Sequence, residues 1–231
     1  MADISGKRIV VVGATGGLGS EISRALSAAG ANLVLVGRSA EKLQGLGIEG
    51  ELLTTDLLTP GAADALITYI AESGPIDGLV IAHGVVAFGP TVELDDSTLS
   101  TLVTLNQTTP MQLIRSAIPS MRAAKEAGSE PFIVTISGIV AESPTAGLAA
   151  YSSSKAGLAA FMNVMRRELR REGIRALDAR PSHTETELSK HPLAGQAPTF
   201  GAGFAPSAVA ARIVQGIVDD EADLPSGSFS V

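Results

Sequence analysis

Short apolar runs rich in Val, Ile and Leu recur along this 231-residue chain, at 8–12, 32–36, 51–54, 78–82, 131–136 and 174–179. Stretches of helical period lie between and after them, at 18–29, 40–46, 61–73, 95–104, 108–127, 149–172 and 206–219. A run such as Ile9-Val10-Val11-Val12 offers no polar face to water, so its sheet must be covered on both sides. Strands separated by helices join through right-handed crossovers, which makes the sheet parallel. The pattern predicts an α/β class: one doubly wound parallel sheet between two helical layers, a single domain over 1–231. No composition shift, repeat or linker divides the chain. The least regular part, about 182–205, is rich in Gly, Pro, Ser and Thr, and is expected to be a binding loop.

Composition narrows the function classes. Apolar residues are 45% of the chain and charged residues 18%, enough for a large core and too few charges for disorder. The net charge of −7 argues against non-specific nucleic-acid binding and against an anionic membrane surface. With no cysteine, disulfides and thiolate metal sites are excluded, and no metal site is expected. The apolar stretch 79–88 is broken by His83 and Gly84 and is too short to span a bilayer. A cytoplasmic protein is expected, since the N-terminus lacks the long apolar segment of a signal peptide.

The run Ile9-Val10-Val11-Val12-Gly13-Ala14-Thr15-Gly16-Gly17-Leu18-Gly19 passes from a strand into a helix. Glycines permit the tight turn and let a phosphate approach the backbone, while the helix start offers free N–H groups and its positive dipole end. Gly13, Thr15, Gly16, Gly17, Leu18 and Gly19 are therefore candidate dinucleotide contacts in a Rossmann-type fold. The second strand ends Val36-Gly37-Arg38. An acid there would bond a ribose 2′-OH, whereas the guanidinium of Arg38 suits a 2′-phosphate, so NADP(H) is favoured over NAD(H). Asp56 and Leu57, after the third strand, are placed for the adenine, and an N-cap to the following helix is nearly as good a reading of Asp56.

Further on stands Tyr151-Ser152-Ser153-Ser154-Lys155, at the start of a helical stretch that follows a strand. Residues four apart share a helix face, so Tyr151 and Lys155 project together. A cation about 4 Å from a phenol, at an effective dielectric near 20, stabilises the phenolate by roughly 4 kcal/mol. That is enough to bring the phenol from about 10 to about 7.

With the Gly-rich turn, Asn106 and the Tyr151/Lys155 pair, the chain resembles the short-chain dehydrogenase/reductase family over about residues 5–220. The resemblance implies an NAD(P)-dependent oxidoreductase that interconverts a carbonyl and a secondary alcohol. It implies Tyr151 as acid/base, Lys155 on the nicotinamide ribose, and Asn106 in a water-linked proton relay. It places Ala82, His83 and Gly84 beside the cofactor, as well as Pro181, Thr184 and Thr186, with Thr186 on the nicotinamide carboxamide. It also implies a homodimer or homotetramer. Several positions depart from the family. Ile81-Ala82-His83-Gly84 replaces the usual Asn-Asn-Ala-Gly, Ser182 stands for a glycine, and the tail 224–231 promises only a stub of a seventh strand.

The sharpest departure is at the catalytic serine, which the family carries thirteen residues before the tyrosine. Here that position is Gly138 and its neighbour is Ser137. Alternation along a strand would turn Ser137 away from Tyr151, but a glycine at 138 permits a bulge that rotates it inward. Ser137 is the favoured replacement hydroxyl, with Ser143 as the alternative. Two rival readings stay open: a scaffold that binds a dinucleotide as a sensor or docking protein without turnover, and an epimerase or dehydratase on the same fold. The substrate loop 182–205 carries Leu193, Phe200 and Phe204 and few charges, which suggests an apolar or mixed substrate.

Overall fold

The computed structural model describes residues 3–229; Met1, Ala2, Ser230 and Val231, the last two in the expected tail, lie outside the described residues. Seven strands form one sheet: β1 (Arg8–Val12), β2 (Asn32–Gly37), β3 (Glu51–Thr54), β4 (Gly78–Ile81), β5 (Phe132–Ile136), β6 (Arg175–Ala179) and β7 (Asp223–Leu224). Their spatial order is β3-β2-β1-β4-β5-β6-β7 and every pairing is parallel. The helices are α1 (Gly17–Ala28), α2 (Ala40–Gln44), α3 (Ala62–Glu72), α4 (Asp96–Val103), α5 (Thr109–Glu126), α6 (Ala149–Leu169) and α7 (Pro206–Val218).

The strand alternation explains the two layers. Val10 and Val12 of β1 point to one face, with Leu79, Ile81 and Ile133, and pack against α3, α5 and α6 through Ile67, Ile70, Leu113, Ile114, Leu158 and Met162. Ile9 and Val11 point to the other face, with Val80 and Val134, and meet Ile22 and Leu26 of α1 and Ile213 and Ile217 of α7. β1 pairs with β2 on one side and β4 on the other, so the winding reverses between β1 and β4. In such sheets the crevice at the carboxyl ends of the strands beside this reversal is where ligands bind.

Two local features position the site. A π-helical segment, Thr104–Thr108, joins α4 to α5 and carries Asn106. Such widened turns break the regular helical bonding and are frequent at functional sites. The 182–205 segment is not free: a bridge pairs Thr184 with Phe204, and a short 3₁₀ turn spans Glu187–Lys190. Leu193 N–H donates to Val86 O (2.8 Å) and Phe88 N–H to Ala194 O (2.9 Å), which fastens the segment to the chain after β4. β7 is the short stub expected from the tail. Among the described residues no helix is long and apolar enough to cross a membrane.

Candidate active site

A cleft of about 1050 Å³ opens at the carboxyl ends of β1, β2 and β4. A separate hollow of about 330 Å³, between α6 and β6–β7, touches neither Tyr151 nor Lys155. Gly13, Thr15, Gly16, Gly17 and Leu18 line the main cleft. Gly13 has φ +87°, and a Cβ there would fall 2.6 Å from the His83 backbone nitrogen. Gly17 faces Thr186, whose side chain would lie 2.6 Å from an added Cβ. Helix α1 begins with no side-chain cap and no acid in its first turn, which leaves its N-terminal N–H groups and dipole end for an anion. Gly19 is the correction in this turn. It is buried and not part of the lining, and a Cβ would meet Gly13 O at 2.1 Å, so its glycine serves the packing of α1 on the turn.

At the far end, Arg38 is exposed and lines the cleft, as does Lys42 on α2. Neither side chain makes a hydrogen bond or ion pair among the described residues, so two cations are available there. Lys42 has no sequence motif and is found only because α2, capped by Ser39 accepting the Lys42 N–H (3.2 Å), turns it toward Arg38's end. Asp56 and Leu57 also line the cleft. The Asp56 carboxylate accepts the Leu58 N–H (3.0 Å), so it caps a local turn and not helix α3, which starts at Ala62.

Tyr151 and Lys155, one turn apart on α6, line the opposite end with Ala82, His83, Gly84, Pro181, Thr184 and Thr186. Lys155 Nζ donates to Ile136 O at 2.7 Å. Burial pushes its ammonium down to about 8, against the opposing charge of Asp178. Burial also pushes the Tyr151 phenol up to about 12. The expected lowering of Tyr151 by Lys155 is therefore absent: the ammonium is held by the Ile136 carbonyl, and desolvation controls the phenol. Asn106 is fully buried and its side chain is occupied. Its carbonyl oxygen accepts the Val85 N–H (2.9 Å), and its amide donates to Val85 O (2.9 Å) and Ser154 Oγ (3.1 Å). The side chain thus ties the segment after β4 to α6, which leaves the π-segment backbone as its route into any relay. Gly84 fits between: a Cβ there would lie 3.1 Å from the Asn106 oxygen and 3.3 Å from Lys155 Nζ.

His83 has two buried ring nitrogens without a hydrogen-bond partner. Burial, then the nearby Lys155 charge, pushes it down to about 4. The folded protein thus resists protonation at a site that the unfolded chain protonates near 6.5. Stability from this group is full above 6.5 and is lost as pH falls toward 4, a loss on the order of 3 kcal/mol. Urea unfolding at pH 7 and pH 4.5 is expected to show a smaller acid loss for His83→Leu than for the parent chain.

The bulge expected at Gly138 exists, but its consequence differs. Ser137 and Gly138 N–H groups both donate to Ala179 O (3.0 and 3.2 Å), and Gly138 has φ +78° and ψ 166°. Ser137 is fully buried and its hydroxyl donates to Asp178 Oδ2 at 2.5 Å, beside Thr135 Oγ1 on Oδ1 at 2.7 Å. Ser137 lines the cleft, as expected of a replacement hydroxyl, but its proton is given to a buried carboxylate on the neighbouring strand, itself paired with Arg180 (2.9 Å). Ser143 is exposed and does not line the cleft. Nor does Gly138 accept a serine freely. Its nearest obstacle to a Cβ is Pro181 O at 3.8 Å, so space is present, but its dihedrals belong to the glycine-only region. Gly138→Ser is expected to cost about 1–3 kcal/mol in denaturant unfolding; an unchanged midpoint would mean that this backbone relaxes at no cost.

The residues fit a dinucleotide: an uncapped helix start behind glycines, two partnerless cations at one end, and a buried lysine and tyrosine at the other. Comparison with known proteins agrees. The family model for short chain dehydrogenases matches residues 7–196. An uncharacterized oxidoreductase of Bacillus subtilis is 32% identical over 191 residues, covering 79% of this chain and 76% of that protein. A 2,3-dihydro-2,3-dihydroxybenzoate dehydrogenase of the same organism is 32% identical over 193 residues, covering 80% and 72%. Among solved structures, a metagenomic short-chain oxidoreductase in complex with NADP matches with TM-score 0.79 at 28% identity, over 97% of this chain and 98% of that one. A short-chain dehydrogenase from Sphingobium yanoikuyae in complex with NADPH gives 0.82 at 25%, over 95% and 87%. Fold, site geometry and sequence kinship converge, and the chain belongs to the short-chain dehydrogenase family of oxidoreductases.

Proposed function

We propose that this protein interconverts a carbonyl and a secondary alcohol with NADP(H), preferred over NAD(H). The observation that carries the reading is one cleft with Tyr151 and Lys155 at one end and the unpaired Arg38 and Lys42 at the other. The names of the two solved neighbours, bound to NADP and NADPH, support the choice of dinucleotide. The cofactor, when bound, supplies or accepts the hydride. Gly13, Thr15, Gly16, Gly17 and Leu18 would cradle its phosphates, Arg38 and Lys42 its 2′-phosphate, Asp56 and Leu57 its adenine, and Ala82, His83, Gly84, Pro181, Thr184, Thr186 and Lys155 its nicotinamide half.

In the direction of reduction Tyr151 gives its proton to the carbonyl oxygen. A phenol held near 12 keeps that proton at every physiological pH. Lys155, resting on the Ile136 carbonyl, would hold the nicotinamide ribose, and the backbone of the π-helical segment around Asn106 would give water a path for the returning proton. Without a serine hydroxyl, Tyr151 carries the oxyanion with less help. Losing one such donor typically costs on the order of 10²–10³ in rate, which slows a reductase without abolishing it.

The glycine at 138 and the commitment of the Ser137 hydroxyl to Asp178 favour the second reading, a dinucleotide-binding scaffold. The test is incubation with NADPH and a broad panel of ketones and aldehydes. Loss of reduced-nicotinamide absorbance supports the reductase, tight binding with no loss across the panel supports the scaffold, and substrate conversion with no net loss supports an epimerase or dehydratase. A homodimer or homotetramer is part of the proposal, with Val103 on α4 and Val164 on α6 as exposed apolar contacts, 46% and 52% accessible.

A further inference from the structure

The cleft beyond Tyr151 is a shaped and almost uncharged chamber. Val86, Phe88 and Leu148 form a buried cluster against which Val140 and the Tyr151 ring pack. Across the chamber stands the 182–205 segment, with Phe200 stacked on the His183 imidazole at 4.4 Å and 25°, and 6.2 Å from Phe88 at a tilt of 53°. Phe200 lines the cleft and remains 37% accessible, so part of an aromatic surface is left for a ligand. The wall is fixed in place. Leu193 and Ala194 bond the backbone of Val86 and Phe88. Gly195, at φ +70°, passes so close that a Cβ would lie 2.0 Å from Phe88 O.

Charge is the second observation. Among the residues lining the cleft from Val85 to Phe200, the lysine is Lys155, committed to Ile136 O, and there is no arginine. His183 faces the Glu185 carboxylate (3.5 Å) and His191 faces Glu187 (3.5 Å), so each imidazole has a carboxylate beside it within the loop. Glu187 also accepts from Lys190 at 2.6 Å. A carboxylate, phosphate or phosphopantetheine-borne thioester entering here would lose its hydration without meeting a free cation. The other polar residues of this lining, Ser137, Thr145, Ser182, Thr184, Thr186, Ser189 and Gln196, are neutral.

We propose that this chamber takes an uncharged ring ketone, aryl or alicyclic, and the corresponding alcohol, with the ring between the Phe88–Leu148 wall and Phe200 and the carbonyl at Tyr151. The proposal rests on the oxidoreductase reading and specifies its substrate class. Aromatic pairs gain from offset or tilted packing beyond the area they bury, and a flat ring meets both walls where a flexible chain must first be ordered.

The test uses 1-tetralone, 2-octanone and acetoacetyl-coenzyme A with the full chain. In NADPH-dependent turnover, kcat/KM for 1-tetralone is expected to exceed each of the others at least about tenfold, and Phe200→Ala to reduce the preference for 1-tetralone over 2-octanone about tenfold. Calorimetric titration of 1-tetralone into the cofactor-free protein is the second readout, with weakening of about tenfold in Phe200→Ala expected. Acetoacetyl-coenzyme A as the better substrate, or equal losses on both ketones in Phe200→Ala, overturns the proposal. So does the absence of tetralone binding. Binding that Phe200→Ala weakens, without turnover of any carbonyl, upholds the chamber and sinks the oxidoreductase reading instead.

Discussion

Tyr151→Phe is expected to reduce kcat/KM for carbonyl reduction by about 10³-fold or more, with NADPH affinity changed by less than about threefold. The substitution removes one oxygen and leaves the ring packed against Val86, Phe88 and Leu148. General acid catalysis alone contributes about 10²–10⁴. With Gly138 at the serine position and Ser137 bound to Asp178, no described serine hydroxyl at 137 or 138 can stand in, so the upper part of that range applies. The pH profile makes the assignment specific. The phenol near 12 is protonated throughout the accessible range, so reduction does not lose its donor as pH rises. Lys155, near 8, does lose its charge, and with it the ammonium that would hold the nicotinamide ribose. Reduction should therefore fall through one ionisation near pH 8. Alcohol oxidation needs Tyr151 to give up its proton first and should rise with pH below that point. Steady-state rates of both directions from pH 6 to 10 check this. A Tyr151→Phe protein that keeps a tenth of the parent rate would remove Tyr151 as the acid.

The fold was legible because its signals are local. β1, β2 and β4 are buried on both faces and read as continuous apolar runs, and the turn at Gly13–Gly19 announces strand, turn and helix within a few residues. Tyr151 and Lys155 were legible for the same reason, since helical spacing alone puts them on one face. What was not legible depends on partners far away in the chain. The hydroxyl of Ser137 could be read as turning into the site until Asp178, on the next strand, is seen to hold it. The phenol of Tyr151 is expected to fall toward 7 from an intrahelical pair considered alone, without the burial that pushes it up. Asn106 looked available for chemistry, yet Val85 and Ser154 occupy its whole side chain. Lys42 carries no motif, and only the fold brings it to the same end of the cleft as Arg38. Buried polar groups seek partners wherever the fold provides them, and sequence spacing does not list those partners.

The paired substitution Arg38→Ala with Lys42→Ala is expected to weaken NADPH binding about 100-fold while NADH binding changes by less than about threefold. A hydrogen bond to a charged group contributes about 1.5–3 kcal/mol, which is roughly 10- to 100-fold in affinity. The two cations are solvent-exposed, so each is screened, and neither alone should supply the whole effect. The guanidinium can present a planar fork to the phosphate and the ammonium cannot, so Arg38→Ala should account for most of the loss. Nicotinamide fluorescence reads both ligands directly, and the chain has no tryptophan to obscure it. Salt gives an independent check. The NADPH affinity of the parent chain should fall with ionic strength more steeply than its NADH affinity, and the paired variant should lose that difference. Equal salt dependence for the two dinucleotides in the parent chain would mean that Arg38 and Lys42 face solvent and not a 2′-phosphate. The preference for NADP(H) would then have no basis in this cleft, although the Gly-rich turn and the Tyr151–Lys155 end would still hold a dinucleotide.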